Sequence, residues 1–234
     1  MRFGSGVYNA GTMTLVATTI AENFEINVGD TAALYTVGDT TLIDSAIWGN
    51  LSAQSAGISA IGDATLVNST VSGNGANYAA GTSGIEQFNA SATLRLISST
   101  ILASGRAWAV RRQGSLISTN SILAQEMESG IGVCEGSGTT TSGGGNVESP
   151  EGSCGFDQPT DLELVTTVDL ALQPLGDNGG PTKTHALGGT SEALDRIPVA
   201  ACLDADGQAL STDQRGEPRP VNALCDSGAY ELQN

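Results

Sequence analysis

Five stretches in the first half of the chain can be written beneath one another without a gap: Leu15 to Asn23, Leu42 to Asn50, Leu66 to Asn74, Leu96 to Ser104 and Ile117 to Gln125. Their starts lie 27, 24, 30 and 21 residues apart, so length varies between the units and not within them. A recurring unit of this size cannot bury its apolar face alone. Stacked on its neighbours it can, and such a repeat marks a solenoid.

Each unit is short, β-branched and polar-alternating, as in Thr65 to Val71, with no 3.6-residue period long enough for a helix. Within each unit two aliphatic residues stand five apart: Leu15 with Ile20, Leu42 with Ile47, Leu66 with Val71. On one flat strand they would face opposite ways. A bend at the third position, held by Ala17, Asp44, Asn68, Ser98 and Thr119, lets both point inward. A further strand precedes each unit, because Val7, Leu34 and Ile58 stand eight residues before Leu15, Leu42 and Leu66. Three strands per turn of about 25 residues predict an all-β fold: a parallel β-helix, or β-solenoid, of about five coils over residues 1–130. Stacking then places Asn23, Asn50 and Asn74 in one amide ladder, and Tyr8 with Tyr35 at one repeat position, where they stack between coils or offer a weak aromatic binding step.

Composition narrows the function. Nine basic against 25 acidic residues give a net charge of −16, which repels phosphate backbones and anionic lipid surfaces. The longest basic run is Arg111–Arg112, so a nucleic-acid partner is not expected. No apolar stretch reaches the length of a membrane span. One histidine, His185, cannot build a multi-histidine zinc site, and it reads as an exposed edge-strand residue. The run Ser5 to Gly11 already has mid-coil character and residues 1–6 hold no cap, which predicts further coils and an export signal upstream.

The four cysteines all lie in the second half, without CxxC spacing. Disulfides are expected over metal, and among three connectivities the pairings 134 with 154 and 202 with 225 are preferred, implying an oxidising compartment. Composition makes residues 131–160 a Gly/Ser/Thr-rich disulfide loop. Residues 161–234 read as a C-terminal capping region. Here Arg215 and Arg219 stand among Asp213, Glu217, Asp226 and Glu231, and carboxylate–guanidinium pairs fixing the cap are expected.

Three runs in this last region, Asn178 to Leu187, Asp213 to Pro220 and Asp226 to Glu231, resemble the choice-of-anchor Q domain of bacterial secreted and surface proteins, whose motifs run NGGPT…TxAL, DQRG…RP and DIGAxE. The family's GSPAID run reads Gly189 to Asp195 here. The repeats are similar to the pectin-lyase-like parallel β-helix found with that domain. The resemblance implies a right-handed helix and a secreted or cell-surface location.

Two classes of function follow, beside a third reading as a pure spacer that holds an upstream domain away from the envelope and takes no ligand. The first is a structural or adhesive module, monomeric and without cofactor, presenting an acidic face to extracellular glycans or surface proteins. The second is a polysaccharide lyase or glycosidase. Asp39 and Asp63, three residues before aligned leucines in consecutive coils, would be its carboxylates with Asp44 on a neighbouring corner, and Arg111 or Arg112 its cation. Gly38–Asp39 and Gly62–Asp63 also read as ordinary turns. Asp204 and Asp206 suggest at most a shallow calcium site, without the spacing of an EF-hand loop.

Overall fold

The fold comes from a computed structural model that describes residues 4–24, 32–52, 57–76 and 81–233. The chain winds into a parallel β-solenoid with three sheets, each six strands deep among the described residues. Gly4–Asn9, Ala32–Thr36, Ile58–Ala60, Thr82–Gln87, Trp108–Arg112 and Cys134–Glu135 stack as the first sheet. Met13–Val16, Thr40–Ile43, Ala64–Val67, Thr93–Ile97, Ser115–Thr119 and Thr140–Ser142 form the second, and Thr19–Ala21, Ala46–Trp48, Thr70–Ser72, Thr100–Ala103, Ile122–Gln125 and Val147–Ser149 the third.

The five-residue spacing is resolved by one residue per coil in the left-handed region. Ala17, Asp44, Asn68, Ser98 and Asn120 have φ between 45° and 54°, turning the chain from the second sheet into the third. Leu42 with Ile47, Leu66 with Val71 and Leu96 with Ile101 therefore all point into one core and are fully buried. All five are Ala, Asp, Asn or Ser in place of Gly, so each corner carries some backbone strain.

The aligned fifth unit is off by one residue. Leu96 pairs with Ser118 and Ile101 with Leu123, so the corner is Asn120 and not Thr119. The interior position is a serine because its hydroxyl is satisfied: Ser118 Oγ donates to Asn146 Oδ1 of the next coil, 2.8 Å away. Ile122 consequently faces outward on the third sheet.

The glycine-rich run between Cys134 and Cys154 is not a loop. It forms a sixth coil, with Leu116, Ile117 and Ser118 paired to Thr140, Thr141 and Ser142. Sheet pairing needs only main-chain groups, and Gly144 and Gly145, at φ 88° and 69°, supply the turn that Asn120 supplies one coil earlier. Cys134 and Cys154 are disulfide-bonded and, with Val133 and Phe156, join the main core, closing this end of the solenoid.

The region expected as an end cap lies instead along the side. Val165, Leu170, Leu187 and Ala193 pack on the outward residues Ile122, Ala124 and Val147 of the third sheet. Residues 161–233 are largely irregular, with one short α-helix, Thr167–Leu170, capped by Thr166, and a single 3-10 turn, Val199–Ala201. One antiparallel pair, Ile197–Pro198 with Leu224–Cys225, is stapled by the Cys202–Cys225 disulfide. We call this region the lateral clamp. No helix of the described residues is long and apolar enough to cross a membrane.

Candidate functional site

Asp39 and Asp63 do stand on one exposed edge, at the turn from the first sheet to the second. Their carboxylates serve the main chain: Asp39 Oδ1 accepts from the Asp63 amide at 3.3 Å and Asp63 Oδ1 from the Thr93 amide at 2.7 Å. The glycine before each is required by packing, since a Cβ on Gly38 would strike the Gly11 carbonyl and one on Gly62 the Gly38 carbonyl. This edge is built as a column of turns.

Asp44 is elsewhere, on the corner between the second and third sheets. Its carbonyl accepts from Thr182 Oγ1 of the clamp at 2.9 Å, and its Oδ1 is buried without a partner. Burial raises its pKa; a hydrogen bond from Asn68 opposes the rise and the charge of Asp213 adds to it. The two arginines also part company, as adjacent strand residues must. Arg111 points outward from the first sheet and pairs with Glu86 at 3.0 Å and Glu135 at 2.9 Å, its neighbours on the flanking strands, while its guanidinium lies 5.6 Å from the Trp108 ring centre. Arg112 is buried, donating to Thr140 Oγ1 at 2.7 Å and more loosely to the carbonyls of Thr139 and Cys154. Desolvation lowers its pKa, against the charges of Glu148 and Glu135. Arg111 stands two coils beyond Asp63, about 10 Å along the axis. The five candidates thus occupy four separate places.

The remaining candidates are structural in their bonding. Asn23 Nδ2 donates to Asn50 Oδ1, and Asn50 Nδ2 to Asn74 Oδ1, each at 2.9 Å. Tyr8 and Tyr35 stack at 5.9 Å between ring centres. Asp204 Oδ1 accepts from the amides of Asp206 and Gln208, which closes a tight turn. Among the described residues no three His, Cys, Asp or Glu side chains are grouped to hold a metal ion.

A second ladder escaped the sequence reading. The amides of Thr18, Ser45, Ser69 and Ser99 donate to the hydroxyls of Ser45, Ser69, Ser99 and Ser121, one coil on. Its signal was available as the column directly after the bend, which becomes uniform only once the last unit is moved by one residue.

The motif residues of the clamp converge on a buried network. Asp213 accepts from Arg215 Nε and Nη2, from three amides including that of Glu231, and is fully buried. Arg219 spends its whole guanidinium: Nε on Glu231 at 3.0 Å, Nη1 on Asn68 Oδ1 and Nη2 on the Gly228 carbonyl. Asp226 accepts from the amides of Asp195 and Leu232, and burial pushes its pKa up to about 6 despite those bonds. The network reaches the solenoid at successive coils, through Asp44, Asn68, Thr100 and Asn120. The corners that turn the chain therefore also seat the clamp.

At the closed end, Glu148 is fully buried. It accepts from Ser153 and from the Cys154 amide, and burial pushes its pKa up to about 7 against those bonds.

His185 corrects a further expectation, for it is 5% exposed. Its Nε2 lies 2.7 Å from Ser72 Oγ on the third sheet and its Nδ1 2.7 Å from the Gln173 carbonyl. The expected edge strand is reduced to isolated bridges at Thr184 and Leu187, and His185 between them faces the solenoid instead of solvent.

Compared with known proteins, the chain matches no family model, no curated protein and no solved structure.

Proposed function

We propose that this chain is an extracellular or cell-surface β-solenoid module that is structural or adhesive, binding glycans or partner proteins along its acidic outer faces without cleaving them. The observation that carries this reading is the bonding of the groups that would catalyse cleavage. Asp39 and Asp63 hold amides of the next coil, Asp44 sits under the clamp, Arg111 lies between two glutamates and Arg112 is buried. General acid–base chemistry on a sugar needs two carboxylates facing one bound ring. The two disulfides support an oxidising location. The motifs of the clamp support its finer placement as a choice-of-anchor Q domain on a pectin-lyase-like β-helix of bacterial surface proteins.

The test is a glycan array and a polysaccharide-degradation screen of the purified chain, with and without calcium, following unsaturated products and reducing ends. Retention on defined glycans without product is the expected result. Product formation that disappears in Asp39→Ala and Asp63→Ala chains would establish the lyase or glycosidase reading instead. Silence in both arms would leave a spacer role.

A further inference from the structure

Between the clamp and the third sheet lies a cavity of about 340 Å³, within the size range of small-molecule sites. Its walls are mainly apolar, with Leu102 from the sheet and Leu170, Leu172 and Leu175 from the clamp, and Ser72 and His185 also line it. Ser72 is placed by the sheet itself: it ends the strand Thr70–Ser72, in register with Trp48 on one side and Leu102 on the other.

The hydrogen bonds fix the state of the pair. The Gln173 carbonyl can only accept, so His185 Nδ1 carries a proton, and in the neutral ring Nε2 presents its lone pair. Ser72 Oγ–H therefore donates to Nε2. Burial lowers the pKa of His185, opposed by the Gln173 bond and the charge of Glu126, and so favours the neutral imidazole a base requires. A nucleophile bonded to a base, itself oriented by a third group, is the arrangement of covalent acyl transfer; here a main-chain carbonyl stands where a carboxylate often does.

We propose that Ser72 is a nucleophile and His185 its general base, and that the cavity takes a small ester with an apolar acyl group. Ser72 Oγ bonds to the carbonyl carbon as its proton passes to Nε2, and the carbonyl π pair moves onto oxygen. Collapse breaks the ester C–O bond, and the leaving alkoxide takes the proton from Nε2. The acyl-serine is then attacked by water, whose proton passes through Nε2 to Ser72 Oγ, releasing a carboxylic acid. The proposal is independent of the glycan reading, since apolar walls suit neither sugars nor charged chains.

The full chain is treated with a fluorophosphonate probe and, separately, with p-nitrophenyl esters of increasing acyl length. Labelling is read by intact mass and located by peptide mapping. A single adduct on Ser72 is expected, with a rate that falls at least about 100-fold in His185→Gln and rises with pH to a midpoint below that of free imidazole. Leu172→Trp, which fills the cavity and leaves the pair in place, should also block labelling, so the proposal stays testable if His185→Gln fails to fold. An unlabelled Ser72, or a Ser72 labelled equally fast in His185→Gln, would overturn it.

Discussion

Replacing Asn50 by alanine should be the most costly change in the asparagine ladder. Asn50 Oδ1 accepts from both the amide and the side chain of Asn23, at 3.0 and 2.9 Å. Its Nδ2 donates to the carbonyls of Ile20 and Trp48 and to Asn74 Oδ1, at 3.0, 3.0 and 2.9 Å. Alanine deletes all five. Asn74 Oδ1 keeps its bond from the Asn50 amide, but the Asn23 amide loses the acceptor that Asn50 gave it. Leaving that donor unmet costs about 1–3 kcal/mol, and the lost bonds to carbonyls about 0.5–1.5 kcal/mol each, so about 4 kcal/mol in total is expected. At this chain length that lowers the melting temperature by about 8–16 °C. Asn23→Ala is the internal control, because Asn50 Oδ1 still accepts the Asn23 amide and nothing buried is left unmet; about 1 kcal/mol is expected there. Thermal and guanidinium unfolding of both variants, followed by circular dichroism, supplies the comparison. Equal losses in the two would show that the amide column adds nothing beyond its single bonds and would refute the reasoning.

Three more outcomes follow from buried charge and from the staples. Glu148 is raised from 4.5 to about 7 in the fold, so between those pH values the folded chain holds a proton that the unfolded chain has lost; stability contributed by the protonated group is complete below about pH 4.5 and disappears as pH rises through about 7, a loss on the order of 3 kcal/mol. In Glu148→Gln this slope should flatten, and pH profiles of unfolding that run parallel in the two chains would contradict the assignment. Arg219→Ala leaves the buried Glu231 carboxylate without its cation and should cost about 3–5 kcal/mol; Arg219→Lys should restore little, because three separate guanidinium nitrogens are bonded, and denaturant midpoints decide it. Cys202→Ser with Cys225→Ser opens a sequence separation of 23 residues and should lower stability by about 3 kcal/mol, with proteolysis beginning in the clamp; a melting temperature equal to that of the parent would remove the staple from the account.

The sequence by itself determined the solenoid. Leucine, valine and isoleucine five apart with a small polar residue between them admit little else than an inward-facing bend, and asparagines at one repeat position bond as soon as the coils stack. Both disulfide pairings were legible too, because the two short separations favour sequential closure. Register in the fifth coil and the existence of the sixth were not. Ser118 and the Thr139 to Asn146 run carry no apolar signal, and a main-chain ladder with a buried Asn146 replaces it.

Only the tertiary structure decided where the last third of the chain goes. Whether it covers the end or the flank depends on Ile122 facing outward, which hangs on a single-residue shift of register, and in a strand one residue exchanges the two faces. The same contact buries His185 against Ser72, two residues 113 positions apart. No local pattern connects them, because their meeting is fixed by the sheet on one side and the clamp on the other.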